Sequence, residues 1–103
     1  METLEKTIDR DRALIRKQLV EKTMSGIDFN KAGDYVLTTI TGASQLASIE
    51  DTKRLVDEFT KIKESSMNNL NKSNSLGYLI LDLMGETFLK SFFNKDNKSE
   101  FSV

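Results

Sequence analysis

The most apolar window of the chain, Leu76–Phe93, carries only three charged side chains: Asp82, Glu86 and Lys90. Because these charges are spaced four residues apart, they share one face of a helix. The apolar and small residues then cover roughly 240° of its circumference, whereas a helix on a core needs a stripe of only about 100°. The window therefore predicts a helix with contacts on at least two sides. It is either the central helix of a bundle or a helix with one flank against another molecule.

The N-terminal stretch, residues 2–24, has the periodicity of an amphipathic helix. Its apolar stripe falls within about 60° on a helical wheel and consists of Leu4, Ile8, Ile15 and Leu19. Asp11 interrupts this stripe. Two interpretations stay open: the helix is partly exposed and Asp11 is hydrated, or Asp11 pairs with a basic residue across an interface and sets its register.

The second stretch, residues 28–47, shows a longer stripe in helical register, made of Phe29, Ala32, Val36, Ile40, Ala43 and Ala47. Residues 35–41 are also rich in strand-forming types, so the local signal leaves helix and strand open. Glycine weakens a helix, and Gly42 lies within this stretch. We interpret 28–47 as a helix with a kink or break near Gly42.

The third stretch, residues 49–71, has Leu55, Phe59, Ile62 and Leu70 on one stripe, and Ser48 is placed to cap its start. The polar run 68–75 predicts a loop, with Ser75 capping a fourth helix over 75–93. The tail, residues 94–103, is polar and is predicted to be frayed or disordered. Together these features predict one all-α domain over 1–103, a small four-helix bundle with short connections.

Composition bounds the chemistry. The chain contains neither cysteine nor histidine, so thiol nucleophiles, thiolate metal ligands and the commonest general base are absent. Net charge is −1 with mixed signs along the chain, which argues against nucleic acid or an anionic membrane as a partner. We therefore expect a protein with no enzymatic activity, metal or cofactor. The charged stretch METLEKTIDRDR has no apolar signal core, which predicts a cytoplasmic location.

The second flank of the apolar window is the predicted binding site. It consists of Tyr78, Leu81, Leu89 and Phe92. A small bundle needs less apolar helix surface than this window offers, and self-association is the simplest way to cover the excess. The sequence thus predicts a protein-binding module, such as an inhibitor, adaptor or immunity-type factor, that forms homo-oligomers.

Two alternative functions remain open. A helix-turn-helix regulator of DNA fits residues 35–56, with the turn at Gly42-Ala43-Ser44 and with Lys53 and Arg54 on the recognition helix. The expected bundle is also similar in length and architecture to bacteriocin immunity proteins, which are cytosolic four-helix bundles with a tail. That similarity implies a partner at a membrane.

The first helix carries a further resemblance. LEKTIDRDRALIRKQL resembles the opening helix of the short all-helical chorismate mutases in its ID–x–D–x–x–L spacing. That family holds two carboxylates with basic residues from several helices. In this chain Arg10, Arg12 and Arg16 cluster on one helix, so no site residue carries over.

Overall fold

The structure is a computed structural model that describes residues 4–42 and 47–103, with side chains from residue 10 onward over the same ranges. Within these ranges, five α-helices and one 3₁₀ helix follow one another: α1 Leu4–Met24, α2 Phe29–Gly42, α3 Ile49–Glu64, α4 Asn69–Met84, α5 Glu86–Phe92 and the 3₁₀ helix Lys98–Phe101. The prediction of a small all-α bundle is confirmed. The fourth predicted helix is divided between α4 and α5.

Helix α4 is the centre of the bundle, since it packs against α1, α2, α3 and α5. Its buried face includes Leu76 and Ile80. Gly77 lies on the same face, where an added Cβ would come within 2.9 Å of Val20 and 2.7 Å of Met24 on α1. The absence of a side chain at this position therefore lets α1 and α4 approach closely. A central helix was one of the two interpretations of this window, and α4 occupies that position.

The predicted continuous helix over 75–93 is wrong because the chain breaks at Gly85. Gly85 adopts φ 98° and ψ 169°, a backbone conformation that residues with a side chain rarely reach. Its N–H still closes the last turn of α4 on the carbonyls of Ile80 and Leu81, at 3.2 and 3.0 Å. The change of direction lets α5 bury Leu89 and Phe92. The broad apolar surface of the window is thus divided between two helices.

The predicted boundary between the third and fourth helices is also wrong. Helix α3 ends at Glu64, and α4 begins at Asn69, inside the stretch predicted as a loop with Ser75 as its cap. Asn68 is the actual cap, since its side-chain oxygen accepts a hydrogen bond from the N–H of Asn71 at 2.9 Å. The start of α3 agrees with prediction: the Ser48 hydroxyl accepts from the N–H of Asp51 at 3.0 Å.

Helix α2 resolves the choice between helix and strand over 35–41. It is helical to Gly42 and buries the predicted stripe residues Phe29, Ala32, Val36 and Ile40. The predicted break near Gly42 falls at the edge of the described residues and stays a prediction. Residues 43–46, which include Ala43 and most of the proposed helix-turn-helix turn, lie outside the described residues.

The C-terminal tail is folded onto the bundle, and the prediction that it is frayed is wrong. Phe101 is buried, with its ring centroid 4.8 Å from that of Tyr35 and 5.5 Å from that of Phe93. The N–H of Asp28 donates to the carbonyl of Phe101, and the N–H of Val103 donates to that of Gly26 at 2.9 Å. One aromatic side chain in an otherwise polar stretch therefore anchors the tail.

Candidate functional site

The four residues predicted to bind a partner do not form one exposed face. Leu89 and Phe92 are buried by the chain itself, at 0% and 5% exposure. The Phe92 ring meets Tyr35 edge-on at 5.8 Å between centroids. Tyr78 and Leu81 are partly buried and pack against the same core. The second flank is therefore closed mainly by elements of this chain.

Exposed apolar side chains are found instead on α1. Leu14 and Ile15 are 53% and 63% exposed, and every described side chain from residue 10 to residue 18 is exposed. Among the described side chains of α1, the fully buried ones are Val20 and Met24, near its C-terminal end. At about 100° per residue, these two lie roughly 140° and 180° around the helix from Ile15. The fully buried side chains of α1 therefore lie on a side different from that of Ile15.

The molecule is longer in one direction than in the other two. The radius of gyration is 14.5 Å and the principal extents are 49 × 31 × 30 Å. A compact domain of about 100 residues has a radius of gyration of about 13 Å. The predicted stripe on α1 lies only partly within the described side chains. Ile15 is exposed and Leu19 is half-buried, while the side chains of Leu4 and Ile8 lie outside the described set.

A polar contact holds the middle of α1 against α4. The Arg16 guanidinium forms an ion pair with Asp82, with Nε 3.2 Å from Oδ1, and lies 4.4 Å from the centroid of the Tyr78 ring. Both charged side chains are about half exposed, so the pair adds little stability. Glu86 and Lys90 form the predicted pair within α5 at 2.7 Å. The predicted charged ridge is therefore split: Asp82 belongs to the α1–α4 contact and the other two charges to α5.

A cavity of about 430 Å³ opens where the end of α1 meets the end of α5 and the tail. Its apolar surface includes Leu19 and Phe93, and its rim carries four lysines: Lys22, Lys90, Lys95 and Lys98. These lysines are far apart in the sequence, and the docked tail brings them together. Sequence reasoning found no basic block and missed this cluster for that reason. A signal was present in Phe101, because an apolar anchor in the tail implies that nearby Lys95 and Lys98 return to the bundle.

The structure also gives the positions of the residues in the proposed recognition helix. Lys53 and Arg54 are exposed on α3, while Leu55 and Phe59 of the same helix are buried. The described residues hold no group of three or more carboxylates close enough to bind a metal ion. Among the helices that the structure describes, none combines the length and the hydropathy that crossing a bilayer requires.

Comparison of the chain with protein families, curated protein sequences and solved structures gives no significant match. The DNA-binding and immunity-type alternatives therefore stay predictions. The function of this chain is therefore inferred from its own surface residues.

Proposed function

We propose that this chain is a non-enzymatic protein-binding module that assembles with a second copy of itself through the exposed side of α1. The observation that carries the proposal is the exposure of Leu14 and Ile15 in the middle of α1. When another surface covers adjacent large apolar side chains on a helix, their removal from water lowers the free energy. This assigns the apolar binding face to α1 in place of the flank of residues 76–93.

A second copy suits this surface because the charges of α1 are self-complementary. Asp11 and Arg12 are exposed and lie about one turn before Ile15. On a helical wheel they fall on opposite sides of the Ile15 position. In an antiparallel pair with its two-fold axis between residues 11 and 12, Asp11 faces Arg12 of the second copy, and the contact occurs twice. The same axis sets position 15 against position 8, which is isoleucine in both cases. In this arrangement Asp11 would set the register of the pair, which is one of the two interpretations that the sequence leaves open.

The decisive measurement is mass by sedimentation or light scattering as a function of concentration. The native chain is expected to be dimeric at tens of micromolar. Ile15→Asp should weaken the dimer by roughly thirtyfold or more, because an interface anchor contributes about 2 kcal/mol or more. Leu70→Asp is the matched control: Leu70 is 57% exposed on α4, away from the proposed contact, so this variant should remain dimeric. Circular dichroism checks that both variants fold.

A charge exchange tests the antiparallel arrangement itself. Asp11→Arg alone places like charges opposite each other and should weaken association. Combining it with Arg12→Asp restores opposite charges across the two-fold axis, and association should recover. A native chain that stays monomeric at tens of micromolar would refute the proposal. Dimerisation unaffected by Ile15→Asp would refute the assignment to α1.

A further inference from the structure

The lysine-rimmed cavity has a concentration of positive charge, whereas charges of both signs are mixed along the chain as a whole. The four lysines of its rim occur in a chain whose net charge is −1. Lys90 is paired with Glu86, and the Lys98 ammonium donates to the carbonyl of Lys22 at 3.1 Å, at the C-terminal end of α1. Among the described residues, Lys22 and Lys95 have no ion-pair partner. At least two cations are therefore directed to solvent beside the apolar floor.

The arrangement fits an anion that also carries an apolar group. Leu19 and Phe93 offer apolar contact, and four of the other lining residues are lysines. The volume of about 430 Å³ would admit one large side chain with room for its neighbours. Lysine is a flexible point charge, whereas bidentate recognition of phosphate favours arginine. Arginine is absent from the cavity lining.

The character of the polar groups favours a polypeptide over a small metabolite. Small-molecule sites fix their ligand with a few well-placed polar groups in a largely enclosed pocket. Here the charged groups lie on a solvent-accessible rim: Lys22, Lys90 and Lys95 are exposed, and Lys98 is half-buried. Such a rim recognises a pattern of charge and gives salt-dependent binding.

We infer that this cavity binds an acidic segment of a partner protein, in which one aromatic or branched apolar side chain is flanked by carboxylates. The apolar side chain packs on Leu19 and Phe93, and the carboxylates lie against Lys22 and Lys95. The inference rests on the proposed protein-binding function and names the chemistry of a second partner. Because Leu19 lies one turn beyond Ile15 on α1, binding is measured with self-association removed, and the two proposals then fail independently.

The test uses the full chain carrying Ile15→Asp, so that self-association does not enter. The probe is a short fluorescein-labelled peptide with a phenylalanine between glutamates, and binding is followed by fluorescence anisotropy at low salt. Saturable binding is expected, and it should weaken as salt is added. Lys95→Glu should raise Kd roughly fivefold, the upper range for one exposed ion pair. Leu19→Ala should also raise Kd, because it removes part of the apolar floor.

Two matched controls separate the cavity from general attraction. Lys53→Glu makes the same charge change on exposed α3 and should leave Kd within about twofold. A peptide with serine in place of phenylalanine should bind more weakly than the probe. The inference is overturned by absence of binding at low salt, by equal losses for Lys95→Glu and Lys53→Glu, or by equal affinity for the serine peptide.

Discussion

Gly85 fixes the path of the chain at the scale of one residue. The apolar window allowed one long helix, but φ 98° at Gly85 ends α4 and starts α5 in a new direction. An L-residue with a Cβ is strained at positive φ. Nothing lies within 4 Å of the position where a Cβ would be added, so a substitution here tests conformation without a steric clash.

Gly85→Ala should therefore lower the free energy of unfolding by about 1 to 2 kcal/mol, as measured by denaturant titration. Gly42→Ala is the matched control. An added Cβ at Gly42 also meets nothing within 4 Å, and Gly42 is helical with no positive φ, so alanine should be neutral or stabilise by up to about 1 kcal/mol. Equal effects of the two substitutions would contradict this account of the break.

At the scale of elements, α4 organises the start of α2 through polar side chains. Asn69 donates to the carbonyl of Ile27 at 3.0 Å and accepts from the N–H of Phe29 at 2.8 Å. One turn later, the buried Ser73 hydroxyl donates to the same Ile27 carbonyl at 2.8 Å. A polar run that sequence reasoning assigned to a loop is therefore the first turns of a helix. Its side chains satisfy backbone groups of another element.

Asn69→Ala should destabilise the chain by about 1 to 2 kcal/mol, because the first N–H of α2 loses its cap. Asn71→Ala serves as the control, since Asn71 is exposed and uses its backbone N–H rather than its side chain in the cap formed by Asn68. Thermal unfolding of both variants gives the comparison. An Asn69→Ala variant as stable as Asn71→Ala would show that the Asn69 hydrogen bonds do not stabilise the start of α2.

The tail is the second element whose place depends on distant contacts. Phe101→Ala should cost about 3 kcal/mol, the low end for removing a buried phenylalanine side chain. Val103→Ala should change little, because the Val103 side chain is 85% exposed and its backbone bond to Gly26 is kept. Proteolysis gives an independent readout: the Phe101→Ala chain should be cleaved within residues 94–103 faster than either the native chain or Val103→Ala.

At the scale of the whole molecule, stability is unevenly distributed along the chain. The middle of α1 has exposed side chains, whereas α4 is packed on several sides. Helical amides with few buried contacts open locally at low free-energy cost. In dilute solution, residues 10–18 should therefore exchange their amide hydrogens much faster than residues 76–84.

Hydrogen exchange measured at several protein concentrations also tests the proposed self-association. Raising the protein concentration should slow exchange over residues 10–18 in the native chain and leave Ile15→Asp unchanged. Protection that does not depend on concentration would mean that the monomer stabilises α1 by itself.

The sequence by itself determined the all-α class, the apolar stripe of α2 and the cap of α3. These follow from periodicity and local hydrogen bonding, which act within a few residues. Tertiary structure decided the break at Gly85, the early start of α4, the docked tail and the side of α1 that faces the core. Each depends on contacts between residues far apart in the chain, such as Phe101 with Tyr35 and Asn69 with Phe29. The lysine-rimmed cavity has the same origin, since distant lysines form one rim only when the tail folds back.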